Sequence, residues 1–479
     1  MDKKLIDQWL DENRSRFEKL SSDIWGLAEM RFQEFQSVAL LAAELEAEGF
    51  TVTKNLADIP TAFMGSYGEK GPVIAILGEF DALAGMSQRG GVAEKAPLVQ
   101  GGTGHGCGHN LLGAASLAAA IAVKRMLQRK GLPGIIRYYG CPGEEGGSGK
   151  AFMARDGVFD DIDAAITWHP FGANGVMSIS MLANYQIAYR FKGRSAHAAA
   201  APHLGRSALD AVELMNVGVN YLREHIIQEA RVHYAVTNTG GRSPNVVQAE
   251  AEVLYLIRAP RLPEVAEIYE RINNIARGAA LMTGTEVEIL FDKACSNYIP
   301  NRVLGKIAYD NFVEVGPPPF DDADRKFAAE IRATLSENDL ASDASLTRSF
   351  MGGHDPDGIV KKCGEAVLFE GILPFSERTA LLPGSTDVGD VSWIAPTVQI
   401  ATTCLAFGTP PHSWQLVAQG VMPAAAKGML TAAKVMARTA IDVMAKPESV
   451  GKARAELEES LGGAKYVCPI PKGVLPKTA

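Results

Sequence analysis

Residues 101–110 read Gly-Gly-Thr-Gly-His-Gly-Cys-Gly-His-Asn and lead straight into an apolar run from Leu111. Glycines let the backbone turn tightly and approach a ligand, and Asn110 is the expected N-cap of a helix over Leu111–Gln128. A thiol at that end of a helix has its thiolate favoured by the dipole, so Cys107 and His109 are a soft and a borderline metal ligand side by side. A glycine-rich turn with an ordinary histidine is the alternative reading of this segment alone. Farther on, Cys-Pro-Gly-Glu-Glu-Gly-Gly at 141–147 supplies Glu144 and Glu145 in a flexible frame. Adjacent carboxylates there can divide the work of hydrolysis, one holding metal and the other taking a proton from water. His169, in Trp-His-Pro, and His412, in Pro-Pro-His-Ser-Trp, carry little weight singly. With Cys107, His109 and Glu145 they make one thiolate, three imidazoles and one carboxylate, enough for two ions.

These residues need elements to position them. Val73–Leu77, Ile135–Tyr139, Ala164–Trp168 and Val398–Phe407 are aliphatic runs of strand type, separated early in the chain by helical periodicity at Leu111–Gln128 and Ser148–Arg155. Each run is followed within a few residues by chemistry: Glu79 and Asp81, Glu144 and Glu145, His169, His412. Ligands of open α/β sheets bind at the carboxyl ends of strands, so the expected fold class is α/β, a mixed, largely parallel sheet with helices on both faces. From Asn184 the pattern changes to strand, helix, strand, strand, helix, strand, a ferredoxin-like α+β module of about one hundred residues. The expected division is a first catalytic part over 1–183, an inserted lid or dimerisation domain over 184–296 and a second catalytic part over 297–479. The irregular stretch between Gly316 and Pro383 reads as a surface excursion carrying one exposed helix.

Composition narrows the function. A net charge of −8 over 479 residues leaves no basic footprint for nucleic acid or an anionic membrane, so a small soluble substrate is expected. The Ala-rich run Leu111–Val123 is short of a bilayer span and reads as a buried helix. No apolar stretch of signal-peptide length occupies the first ten residues, and a cytoplasmic protein with reduced thiols is expected.

The chain resembles the M20 metallopeptidases, in their aminoacylase-like amidohydrolase branch. The resemblance rests on Gly104-His105-Gly106-Cys107-Gly108-His109-Asn110, Cys141-Pro142-Gly143-Glu144-Glu145-Gly146-Gly147, Pro202-His203-Leu204-Gly205-Arg206-Ser207, Asn245-Val246-Val247-Gln248 and Ser385-Thr386-Asp387-Val388-Gly389-Asp390. It implies that Cys107, His109, Glu145, His169 and His412 ligate two divalent ions, Mn²⁺ or Zn²⁺, with Cys107 shared. It makes Glu144 the general base, counts Asp81 with the catalytic group, gives the inserted module His197 for the reacting carbonyl, and makes Asn245 and Arg258 substrate-holding residues. Where many relatives read Arg-Ala-Asp-x-Asp-Ala-Leu-Pro, this chain has Leu77-Gly78-Glu79-Phe80-Asp81-Ala82-Leu83-Ala84.

The implied reaction is attack of metal-activated water on the amide of an N-acyl or N-aroyl amino acid, p-aminobenzoyl-glutamate first among the expected substrates. The implied assembly is a homodimer, or a heterodimer with a related chain, joined through the inserted module. Other N-acyl amino acids such as indole-acetyl-aspartate, dipeptides, a mainly structural role within a heteromeric hydrolase, and a cysteine hydrolase using Cys107 are the competing readings. The last leaves Glu144 and Glu145 without work.

Overall fold

Aliphatic and β-branched runs make the strands of a computed structural model that describes residues 3–355 and 357–478. In chain order they are β1 (Thr51–Lys54), β2 (Phe63–Tyr67), β3 (Val73–Gly78), β4 (Ile135–Gly140) and β5 (Ala164–Phe171), then the short β6 (Gly175–Val176) and β7 (Ile179–Met181). Next come β8 (Ala183–Lys192), β9 (Arg231–Asn238), β10 (Glu250–Ala259) and β11 (Glu286–Cys295), and finally β12 (Ala380–Leu382) and β13 (Thr397–Thr403).

Seven of them form one sheet in the order β1-β2-β4-β3-β5-β13-β6. Its middle, β4-β3-β5-β13, is parallel, and its flanks are antiparallel. Successive side chains leave a strand on opposite faces: Ile74 and Ile76 join one core with the helices His109–Lys130 and Pro423–Ala445, while Ala75 and Leu77 join another with Gly149–Arg155 and Val388–Ile394. This is the expected α/β layering. The helix His109–Lys130 is long and apolar enough to cross a bilayer, yet it is almost wholly buried in this core.

The second sheet, in the order β11-β8-β10-β9, is entirely antiparallel. With the helices Ala208–Leu222 and Leu262–Thr283 it has the strand-helix-strand-strand-helix-strand order read from the sequence. Odd-numbered residues Ile187, Tyr189, Val253, Tyr255 and Ile257 bury against the helices, which leaves Asn184, Gln186, Leu256 and Arg258 for the other face. The chain passes into this unit after Met181 and out of it before Tyr298, and the two crossings are held together by a bridge in which Tyr298 N donates to Met181 O at 3.2 Å.

Three local readings need correction. His169 lies inside β5 rather than after it. Gly108 is the N-cap in place of Asn110; its φ of +77° and the 2.7 Å approach of Pro170 to where a Cβ would stand both call for glycine, and Asn110, inside the helix, donates its side-chain amide to Ser21 Oγ and Gly420 O. The stretch between Gly316 and Pro383 is no excursion with one exposed helix: it folds into the helices Asp322–Arg332, Glu337–Phe350 and Ile359–Glu365 plus β12. Phe350, Val360 and Cys363 bury against Ala401 and Phe407, apolar anchors spaced too irregularly to read as amphipathic periods.

Candidate metal centre

The glycine-rich turn delivers Cys107 and His109 to the carboxyl end of the parallel strands, where three sets of donors lie within 4.8 Å of one another: Cys107 with His109 and His169, Cys107 with Glu145 and His412, and Glu79 with His109 and Glu144. Cys107 is common to the first two. Its Sγ is 3.3 Å from His169 Nε2, and on the other side His412 Nε2 is 3.3 Å from Glu145 Oε2. The five residues expected as ligands therefore converge, and they do so as two groups hinged on one sulfur.

Their orientation is held from behind. His109 Nδ1 lies 2.9 Å from Asp81 Oδ1, and Asp81 Oδ2 accepts from Glu145 N at 2.8 Å. A carboxylate on Nδ1 fixes the tautomer and turns the Nε2 lone pair outward, the usual arrangement behind a metal-bound imidazole. Among the described residues His109 Nε2, which lies 3.2 Å from Glu79 Oε2, and Glu145 Oε1 are both buried with no hydrogen-bond partner. Orphan donor atoms are costly unless something else satisfies them, and a thiolate, imidazoles and a carboxylate at this spacing suit a divalent ion. The residues present fit the ions that the chemistry implies. Asp81 sits behind the ligands rather than on the cavity wall, so it positions His109 and Glu145.

Electrostatics point the same way. Burial and Glu145 oppose ionisation of the Cys107 thiol, yet His169 and His109 bring it down to about 6. Burial opposes charge on Glu145 too, but the hydrogen bond from His412 and the charges of His109 and His412 together outweigh it, and the carboxyl falls to about 2. His412 rises to about 11 through Cys107 and Glu145. It adopts a left-handed φ of +55°, a strain tolerated where a side chain must be aimed. Glu144 moves the opposite way from its neighbour: burial, then Glu79, Asp387 and Glu145, drive its carboxyl well above the usual range. Two adjacent carboxyls pushed apart in this manner suit one ligand and one proton acceptor.

Several residues that sequence reasoning missed hold this arrangement. Lys150 is fully buried with its ammonium 2.6 Å from Glu79 Oε1 and 2.7 Å from Asp387 Oδ1, and its backbone N donates to Asp387 Oδ2 at 2.9 Å. Glu34, raised to about 8 by burial and by Asp81, accepts from Gly143 N at 2.9 Å and steadies the loop before Glu144. Arg31 donates to Gly146 O on the same loop and reaches Asp292 of β11 at 3.7 Å. Asp387 at least stands in the distinctive Ser385–Asp390 segment; Lys150, in the first turn of the short helix Gly149–Arg155, carries no signal of its own.

The site opens into a cavity of about 330 Å³ walled by Phe171, Met177, Met181, Leu346 and Leu382 and closed by the second sheet, which contributes Asn184, Gln186, Arg258 and Lys293. Arg258 is thus brought to the site. His197 and Asn245 are not: both are exposed and neither lines the cavity. Their segments pair with each other, Ala198 N donating to Asn245 O at 2.9 Å, and His197 Nδ1 accepts from Ala199 N and Ala200 N, which leaves Nε2 as the donor.

Comparison with known proteins bears on this geometry. Residues 75–373 match the profile of peptidase family M20/M25/M40. The chain is 51% identical over 473 residues to the B subunit of p-aminobenzoyl-glutamate hydrolase of Escherichia coli (strain K12), covering 99% of this chain and 98% of that protein. It is 27% identical over 334 residues to the A subunit of p-aminobenzoyl-glutamate hydrolase of the same organism, covering 59% of this chain and 75% of that one. Among solved structures, a dinuclear metal-binding peptidase of the M20 family from Bacillus subtilis shares the fold at TM-score 0.56 and 18% identity, over 91% of this chain and 99% of the other.

Proposed function

The chain belongs to peptidase family M20/M25/M40, and we propose that it cleaves the amide of N-aroyl amino acids, p-aminobenzoyl-glutamate above all, into an aromatic acid and glutamate. It is a metal-dependent amidohydrolase by family. The observation that carries the finer reading is the pair of donor groups sharing Cys107 in a cavity whose wall also presents Arg258. Phe171, Met177, Met181, Leu346 and Leu382 on the cavity wall suit an aromatic acyl group.

Cys107, His169 and His109 would hold one ion and Cys107, Glu145 and His412 the other. When bound, such ions lower the pKa of water and offset charge developing on the amide oxygen. Glu144 accepts the water proton and delivers it to the departing nitrogen. Arg258, a planar fork, holds a carboxylate of the amino acid with two parallel hydrogen bonds. His197 adds its Nε2–H to the oxyanion from a neighbouring protomer, since it faces solvent in its own chain. Association through the second sheet supports this: β9 is a free edge with Tyr234 and Val236 exposed, and Val217 and Tyr221 stand out from the helix Ala208–Leu222. The partner is a second copy, or a chain related to the A subunit of the Escherichia coli hydrolase.

The test is hydrolysis by the full chain after exhaustive chelation and reloading with Mn²⁺ or Zn²⁺, alone and together with a homologue of that A subunit. Turnover of p-aminobenzoyl-glutamate that depends on metal and exceeds that of neutral dipeptides is expected. Full activity in metal-free protein, or a preference for neutral dipeptides, overturns the reading.

A further inference from the structure

Lys293 is 8% exposed, yet among the described residues its ammonium makes no hydrogen bond or ion pair, and it lies on the wall of the cavity. An unpaired ammonium that opens on the cavity is a ready partner for an anion bound there. Arg258 shares the condition. Among the described residues it too makes no hydrogen bond or ion pair, and its Nε is buried without a partner. Asn184 Oδ1 and Ser385 Oγ, also on the wall, are likewise unsatisfied.

A bulge puts Lys293 there. Phe291 pairs with Ile187 of β8, but the next paired residue is Lys293, opposite Gln186, so Asp292 is an extra residue in the strand. Regular pairing would set Lys293 opposite Tyr185, whose ring packs on Tyr269 of the helix Leu262–Thr283, on the helix-covered face. A one-residue slip moves a side chain to the other face, and bulges beside active sites re-aim side chains in this way. Asp292 accepts from Gln186 Nε2 at 2.7 Å and is not itself on the cavity wall. Lys293 on β11 and Arg258 on β10 then flank the intervening strand β8, opposite Gln186 and Asn184, with their backbones roughly 12 Å apart.

We infer that Lys293 binds the side-chain carboxylate of an acidic amino acid while Arg258 takes the α-carboxylate, so that the two unpaired cations together select dicarboxylic amino acids as the leaving half of the substrate. This rests on the amidohydrolase reading above and specifies its substrate class. Four carboxylates, Glu79, Glu144, Glu145 and Asp387, also line the cavity, so Arg258 and Lys293 are the groups on its wall to which the carboxylates of an acidic ligand can turn. The apolar residues of the cavity wall are left for the acyl group, on the other side of the scissile amide from the two cations.

The experiment compares p-aminobenzoyl-glutamate with p-aminobenzoyl-glutamine, which differ in the side-chain charge alone. Dissociation constants are measured by calorimetry on metal-loaded Glu144→Gln protein, and kcat/KM on the protein with Glu144 intact. A charge-assisted contact is worth about 10- to 10²-fold, so the native chain should prefer the glutamate conjugate by that factor, Lys293→Met should erase the preference, and Lys293→Arg should keep most of it. A preference that survives Lys293→Met in protein of native metal content overturns the inference. Should Lys293→Met not fold, equal affinity of the unsubstituted protein for the two conjugates overturns it without any substitution at Lys293. Failure of the underlying reading looks different: neither conjugate is hydrolysed while neutral dipeptides are.

Discussion

Glu144 is surrounded by Glu79, Asp387 and Glu145, all of which oppose its ionisation along with burial. A carboxyl so placed is a proton acceptor whose basicity is raised at the cost of charge, and Glu144→Gln keeps its shape while removing that function. Turnover is expected to fall about 10²- to 10⁴-fold with metal content, read by elemental analysis, close to native. Loss of metal instead would exchange the roles of Glu144 and Glu145. Lys150 poses the converse case. Among the described residues it is the one lysine or arginine in an ion pair with Glu79 or Asp387, so Lys150→Met leaves two buried carboxylates without their ammonium. Breaking a buried pair costs about 3–5 kcal/mol, and a matching fall in the midpoint of urea unfolding is expected; an unchanged midpoint would remove Lys150 from that structural role. The contrast between these residues explains what was legible. Cys107, His109, Glu144, Glu145, His169 and His412 announce themselves because thiol, imidazole and paired carboxylates stand in short, distinctive segments. Lys150 and Asp387 are 237 residues apart, and the pairing that gives each its meaning exists only after folding.

Elements carry a further set of consequences. The parallel strands and the ferredoxin-like order were legible because their apolar periods are regular, whereas β2, β6 and two of the three helices after Gly316 were not, since their burial is decided by neighbours distant in the chain. The bulge at Asp292 falls in the same class, as nothing in Leu-Phe-Asp-Lys-Ala marks an extra residue. The short helix Val388–Ile394 offers a measurable case. Its Asp390 is buried and receives Ser296 Oγ at 2.8 Å, Ser296 N at 3.1 Å and Tyr466 OH at 2.9 Å. Burial nonetheless outweighs these donors and raises the carboxyl to about 7, against about 3.9 in the unfolded chain. The folded state therefore binds the extra proton between those values, and the stability so gained is complete below about pH 4 and lost as pH rises through about 7. Asp390→Asn has no such proton to lose. The melting temperature of the variant relative to the native protein should climb from pH 4 to pH 8, and a difference independent of pH would assign the ionisation elsewhere.

At the scale of the whole molecule the site is divided between two bodies. His197 and Asn245 stand outside the cavity of their own chain, so the expected result for His197→Ala is a strong loss of turnover without loss of metal. Mixing it with Glu144→Gln protein under subunit exchange should restore part of the activity, because each mixed dimer then holds one intact combination; no recovery in verified mixed dimers would confine His197 to its own protomer. The two crossings between the bodies lie side by side, joined by the bridge from Met181 to Tyr298. Everything proposed to hold metal or move a proton comes from residues outside β8–β11, and both unpaired cations come from β10 and β11 within it. Adjacent crossings of this sort allow one body to be cut out and replaced with little disturbance to the other. In evolutionary terms the molecule keeps its chemistry and its taste in substrates on separate heritable parts, so that a relative could acquire a new diet by exchanging or slipping the smaller sheet while the hydrolytic machinery passes down unaltered.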